Sequence, residues 1–209
     1  MGRPREFDVD EALETAMELF WRKGYEGTSL TDLTDGMGIT KPSLYGVFGN
    51  KEGLFLKALE RYQRTKMYFF HEALKEPRAR IVAEKILRGF ADSQTAETGP
   101  SGCMGINGAL ACSEAAAEIQ KCLVENRHRG ERDLAERFAR AAEEGDLPEG
   151  HEPDDLARYI MTVSQGTAIQ AASGANRAEL YRVVDMALQF WPAESVVPAQ
   201  HVQIASAEA

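Results

Sequence analysis

Apolar residues along this chain return every three or four positions and almost nowhere every second one. That is the period of an α-helix laying one face on a core, whereas a half-buried strand needs strict alternation. The chain is therefore expected to be all-α, with about nine helices. Val9, Leu13, Ala16, Met17, Phe20 and Trp21 form the first stripe, and Gly24 ends it. Two short helices are expected at about 29–36 and 40–47. Asn50 then caps a longer one that carries Leu54, Phe55, Ala58, Leu59 and Tyr62 on one face. Pro77 and Gly99-Pro100 bracket a helix near 78–95, and the Gly- and Ser-rich stretch 99–108 reads as a turn. A long helix follows over about 114–144, stopped by Gly145 and Pro148. Pro153 opens another that ends at Ser173-Gly174, and the last spans about 176–191. Residues 193–209 have little amphipathic content and read as a tail, and no internal repeat is visible.

Charge at first argues against nucleic acid as a partner. The 209 residues hold 24 Lys/Arg against 33 Asp/Glu, a net charge of −9. The distribution is uneven, however: residues 1–66 hold ten basic and eleven acidic residues, net −1, and the remainder is net −8. Arg3 and Arg5 lie in a Gly-Pro arm, Lys41 follows a turn, and Lys51 starts a helix, so a locally basic face is expected beside an acidic remainder. An ordinary mixed-charge surface fits the same numbers.

The opening MGRPREFDVDE has no apolar core of a signal peptide. The longest uncharged run, Tyr159 to Asn176, is half Thr, Ser, Gln, Gly or Asn, which is not a lipid-facing span. Cys103, Cys112 and Cys122 form an odd set at spacings of 9 and 10, matching neither a disulfide framework nor a metal knuckle. A cytoplasmic protein with no membrane partner is expected.

The informative stretch is TSLTDLTDGMGITKPSLYGVFGNKEGLF, Thr28 to Phe55. Ser29 with Asp32 three residues on is a capping-box pattern. Leu30, Leu33 and Met37 supply a buried face, and Gly38 permits a tight turn. Thr40 can cap the next helix, and Pro42 in its first turn does no harm, because the missing N–H would be unpaired there anyway. Leu44 and Phe48 point inward, which leaves Lys41, Ser43 and Tyr45 outward. Two short helices around a glycine turn, the second with small polar, basic and aromatic residues outward, form a helix-turn-helix whose second helix enters a major groove. The same apolar spacing also fits an αα-hairpin in a bundle, where these residues are only core.

This segment resembles the DNA-binding domain of the TetR family. The matching residues are Ser29, Leu33, Gly38, Ile39, Thr40, Leu44, Tyr45, Phe48, Asn50, Lys51, Glu52 and Leu54. The preceding ALETAMELFWRKGYEGTS is similar to that family's first helix and entry turn, so the likeness covers about residues 6–66. It implies a homodimer on palindromic double-stranded DNA, a larger C-terminal helical domain for an inducer and for dimerisation, and in most cases repression. It implies phosphate contacts from Tyr45 and Lys51, a cap on the second helix from Thr28 and Ser29, and groove contacts from Thr40, Lys41, Pro42 and Ser43. Thr34, Met37, Pro42 and Val47 depart from the family's usual residues, so its base preference does not carry over. The Arg3 and Arg5 arm is a candidate for minor-groove or phosphate contact, or else a solvated tail.

The expected organisation is a DNA-binding domain over 1–66, an effector-binding and dimerisation domain over 67–192, and a tail over 193–209. Pro153 to Trp191 resembles the family's last two helices, which form a four-helix dimer interface. The candidate interface residues are Tyr159, Val163, Gly166, Ala171, Val184 and Leu188, on helices whose small residues allow close approach. A small-molecule effector pocket is expected between the middle helices, lined by Phe69, Phe70, Phe90, Cys103, Met104, Ile106, Leu110 and Ile119; a Met and aromatic set at this spacing also reads as plain core. Cys103 before a helix is an alternative sensor of oxidants or electrophiles, since helix N-termini favour the thiolate. The four histidines are scattered, so no metal site is expected. No GxSxG, P-loop, HExxH or GxGxxG is present, so neither an enzyme nor a cofactor is expected. A helical adaptor that binds no DNA is the remaining alternative.

Overall fold

The computed structural model describes residues 7–107, 113, 116–147, 150–189 and 191. Among them are ten α-helices and no strand. They are α1 (Val9–Gly27), α2 (Leu30–Met37), α3 (Lys41–Phe48), α4 (Lys51–Lys66), α5 (Tyr68–Ala73), α6 (Ala79–Gln94), α7 (Met104–Asn107), α8 (Ala117–Glu143), α9 (Pro153–Ala172) and α10 (Arg177–Gln189). The expected boundaries fall within about three residues of these. The two helices beyond the sequence reading's clear stripes, α5 and α7, are six and four residues long, too short to show a period of their own. The one-turn α7 also corrects the reading of 99–108 as turn alone.

The helix starts follow from capping chemistry. Asp8 Oδ1 accepts from the Asp10 and Glu11 N–H groups at 2.7 and 3.2 Å and opens α1. Gly24, at φ 71 and ψ 172, breaks α1 internally, and the Thr28 hydroxyl donates to the freed Gly24 carbonyl at 2.7 Å. Asn50 Oδ1 accepts from Gly53 N–H at 2.7 Å and opens α4.

Two apolar clusters fill the molecule. One joins α1 to α4 through Phe20, Trp21, Leu33, Leu44, Phe55 and Tyr62, and also takes in Met104, Ile119 and Leu123 from α7 and α8. The other joins α5, α6, α8, α9 and α10 through Phe70, Ile86, Phe138, Ile160 and Val184. α4 crosses from the first cluster toward the second, and Arg61 ties it to α1 by donating to Glu14 at 2.6 Å and Asp10 at 2.9 Å. Among the described residues no helix is long and apolar enough to cross a membrane.

Candidate nucleic-acid interface and cavity

Helices α2 and α3 form the expected turn. Ser29 Oγ accepts from Asp32 N–H at 3.0 Å while Asp32 Oδ2 accepts from Ser29 N–H at 2.8 Å, so the box closes in both directions. Lys23 donates to the other carboxylate oxygen at 2.7 Å. The Lys23 ammonium, followed by the Ser29 hydroxyl and N–H, holds the Asp32 carboxyl well below the usual carboxylate range. Gly38 ends α2 in the left-handed region at φ 64, which a side chain enters only with strain. Thr40 caps α3: its Oγ1 lies 3.4 Å from Ser43 N and 3.0 Å from Ser43 Oγ.

Leu44 and Phe48 are buried against α1 and α4, so α3 is held by one face. Its other face carries Lys41, Pro42 and Tyr45, all exposed, with Ser43 half-buried beside Thr40. Lys51 stands at the start of α4 with its ammonium 4.5 Å over the Tyr25 ring. Partial burial lowers its pKa, against the raising pull of Glu26 and Asp32. Gly53, one turn on, is a close approach: a Cβ there would collide with the Phe48 carbonyl oxygen, so the turn from α3 into α4 needs glycine.

Thr28 and Ser29, named among the DNA-binding candidates, spend their polar groups within the turn. Thr28 is fully buried and spends its hydroxyl on Gly24, so it shapes the entry to α2 from inside and offers no surface. Ser29 is exposed, but both its polar groups are engaged with Asp32. Arg3 and Arg5 lie outside the described residues.

A cavity of about 250 Å³ lies where the two apolar clusters meet. Leu59, Tyr62 and Gln63 of α4 form one side, and Phe70, Phe90 and Gln94 of α5 and α6 another; Leu123 and Gly130 of α8 and Met161 and Ser164 of α9 face them, and the ionisable residues His71, Arg127, Arg129 and Asp133 also line it. Of the candidates, Phe70, Phe90, Cys103 and Ile106 stand in its wall. Phe69 does not: it packs edge-on against Phe90, ring centres 5.3 Å apart, behind the wall. Met104 and Ile119 are also off the wall, buried in the α1–α4 cluster. Leu110 lies outside the described residues. The sequence reading missed Tyr62, Gln94 and Met161. Tyr62 read as core of α4, whereas Gln94, an amide on the apolar face of α6, was a visible signal.

The proposed interface residues separate. Tyr159 and Gly166 are exposed and Val163 is half-buried. Ala171, Val184 and Leu188 turn inward and belong to the chain's own core, because α10 packs its apolar stripe on α6. The large exposed apolar residues of α9 and α10 are instead Tyr159, Ile169, Val183 and Met186.

A capped helix-turn-helix whose second helix shows a polar and aromatic face, borne by an all-helical body, defines a DNA-binding transcriptional regulator. The family model for bacterial regulatory proteins, tetR family, matches residues 12–58. The chain is 34% identical over 194 residues to the HTH-type transcriptional repressor ComR of Escherichia coli (strain K12), covering 91% of this chain and 92% of that one. In structure it is similar to a cysteine mutant of the TetR family regulator CifR complexed with 26-bp double-strand operator DNA, at a TM-score of 0.87 and 38% identity over 91% of this chain and 100% of that chain. It is also similar to a TetR transcriptional regulator from Rhodococcus sp. RHA1, at 0.61 and 42% over 90% and 100%. The chain belongs to the TetR family, whose members regulate transcription and are not enzymes.

Proposed function

We propose that this protein is a cytoplasmic homodimeric repressor that binds a palindromic double-stranded operator through α3 and leaves it when a small molecule fills the cavity. Residues 1–66 act as the DNA-binding domain and 67–192 as the effector and dimerisation domain. In this reading α3 enters the major groove, with Lys41, Pro42 and Ser43 toward base edges, while Tyr45 and Lys51 meet phosphates.

The observation that carries the reading is the reach of α4. Its first residue is Lys51, and Leu59, Tyr62 and Gln63 in its second half are cavity wall. Tyr62 lies eleven helical steps beyond Lys51, about 16 Å at 1.5 Å per step. A ligand that pushes on Leu59 and Tyr62 therefore moves Lys51 through one rigid element. In a dimer, that shift alters the separation of two α3 helices whose half-sites lie about 34–36 Å apart.

Binding of the full chain to DNA from upstream of its own gene, measured by anisotropy against salt, tests the reading. Each phosphate neutralised contributes about −0.9 to the slope of log K against log salt. A slope near zero rejects DNA binding and favours a helical adaptor.

A further inference from the structure

Besides its apolar lining, the cavity carries His71 of α5 and Arg127, Arg129 and Asp133 of α8. None of the four forms an ion pair with another described residue; the ion pairs of α8 run through Arg132 and Glu131 instead. The four are not equivalent. His71 and Arg129 are exposed and stand at the mouth, where water serves them, while Arg127 and Asp133 are half-buried. Arg129 lies in the field of Glu125, whose carboxyl is held below its usual range by Arg132 first and by Arg129 after it. Asp133 lies in the field of Arg132, whose guanidinium is raised by Glu125 first and by Asp133 after it. Arg127 has no such counterpart among the described residues.

A neutral group holds Arg127 in place. Its Nη1 donates to the Gly105 carbonyl oxygen at 3.2 Å, and Gly105 is itself cavity wall, so the guanidinium and not only its stem stands there. No described residue accepts from Nε or Nη2. Those two N–H groups form one edge of a planar fork, the shape that meets both oxygens of a carboxylate at once. Leu123, Arg127 and Gly130 follow at steps of four and three, which puts them on one face of α8. Met161 and Phe70 close over Gly130 from α9 and α5. Asp133 comes one turn later, six residues from Arg127 and about 9 Å along the axis. The wall thus has a cation without a counter-ion at one end, an apolar middle, and a carboxylate at the other.

Sites of this kind bind through a large apolar contact and a few placed polar groups that set orientation. We propose that the effector is an amphipathic carboxylic acid, bound ionised, with its carboxylate on the Nε–Nη2 edge of Arg127 and its apolar body across Gly130 against Phe70 and Met161. Asp133 repels the acid end and so excludes the reverse orientation. This deepens the repressor reading above and rests on it for the word effector. An amide or ester of the same body loses the paired charge, and an amine brings the wrong sign to Arg127.

The test uses matched sets on the full-length wild-type chain by calorimetry at neutral pH: 2-naphthoate, 2-naphthamide and 2-naphthylmethylammonium, and octanoate against octanamide. Each carboxylate is expected to bind about tenfold or more tighter than its amide, because only it forms charge-assisted bonds with Arg127. The ammonium ion is expected to bind weakest. In Arg127→Gln, which keeps a donor for Gly105, the acid-to-amide ratio is expected to collapse toward one. Asp133→Asn is expected to bind the acids at least as tightly as wild type. The ratio is the readout, so a general loosening of the cavity does not imitate the result, and the wild-type sets stand even if a variant fails to fold. Equal affinity of acid and amide, no binding by either acid, or tightest binding by the ammonium ion would each overturn the proposal. So would an undiminished preference in a folded Arg127→Gln, or acid binding lost in a folded Asp133→Asn. Operator anisotropy is run alongside. Acid preference without operator binding would reject the repressor reading and leave the Arg127 site, while operator binding with equal affinities would do the reverse.

Discussion

Lys51 holds its ammonium 4.5 Å from the centre of the Tyr25 ring, so the cation at the start of α4 is aimed by an aromatic face and does not sweep the solvent. The ring is itself fixed, packing edge-on against Phe55 at 5.3 Å and stacked near Phe20 at 6.2 Å. Lys51→Ala is expected to weaken specific and non-specific DNA alike, and to lower the salt slope by about 0.9, the share of one phosphate. Tyr25→Leu is expected to act in the same direction without touching DNA, whereas Tyr25→Phe keeps the ring and the affinity. By contrast, Lys41→Ala is expected to change which sequence is selected, since Lys41 is exposed on α3. Unchanged non-specific affinity in Lys51→Ala would remove Lys51 from the phosphate contacts.

Asp32 makes the helix-turn-helix sensitive to acid. Its pKa is held down in the fold by Lys23 first and Ser29 next, so its contribution is complete above the unfolded value, about 3.9 for a free aspartate. The contribution is then lost as pH falls from there toward the depressed native value. Wild type is expected to lose stability through that acid window more steeply than Asp32→Asn, which has no proton to take up. Urea unfolding at a series of pH values between about 5 and 2 measures the difference. Parallel curves for the two chains would mean that Asp32 is not linked to folding.

What the sequence made legible, it made legible through local chemistry. Ser29, Thr40 and Asn50 read as caps and each accepts the expected backbone N–H, and Gly38 reads as a turn and sits at positive φ. The facing of α9 and α10 was not legible for a physical reason. Tyr159 to Gly174 has no charge on any side, so no polar face marks where water begins, and small residues line both sides. Only packing on α6 and α8 decides that Ala171 and Val184 turn in while Ile169 and Val183 turn out. Likewise, nothing near Met104 or Ile119 in the chain signals that they complete a core begun 80 residues earlier.

That outward face carries the dimer prediction. Met186 is 70% exposed and Ile169 48%, unusually open for their size. Met186→Glu and Ile169→Glu are expected to yield folded monomers in sedimentation, with operator affinity lost, since a charge at a closed interface is buried without a partner. Ala171→Glu is expected to behave differently, unfolding the chain itself, because Ala171 is only 2% exposed within one subunit. A stable dimer from both surface variants would move the interface off α9 and α10.

Cys103 stands in the cavity wall and is half-buried, as is Cys122; Cys112 lies outside the described residues. The helix after Cys103 is only four residues long, too short to align many peptide dipoles behind its N-terminus. Cys103 is therefore expected to label no faster than Cys122 in the folded protein, and Cys103→Ser is expected to keep its response to ligand. Faster labelling of Cys103, together with a lost response in Cys103→Ser, would replace the non-covalent effector with an electrophile.

Gly130 lies in the middle of α8 and in the cavity wall, so one position tests stability and ligand response separately. A Cβ there would meet Met161 Cε at 3.5 Å and Phe70 Cζ at 3.8 Å, ordinary contact distances. Gly130→Ala should thus fit, and should stabilise the helix by about 0.5–1 kcal/mol through the backbone freedom that glycine loses on folding. It is expected to raise the unfolding midpoint and leave ligand response in place. Gly130→Phe puts a ring into the space a ligand needs. It is expected to bind operator as wild type does and to stay bound when ligand is added. A Gly130→Phe chain that still releases DNA on ligand addition would show that the cavity is not where the effector acts.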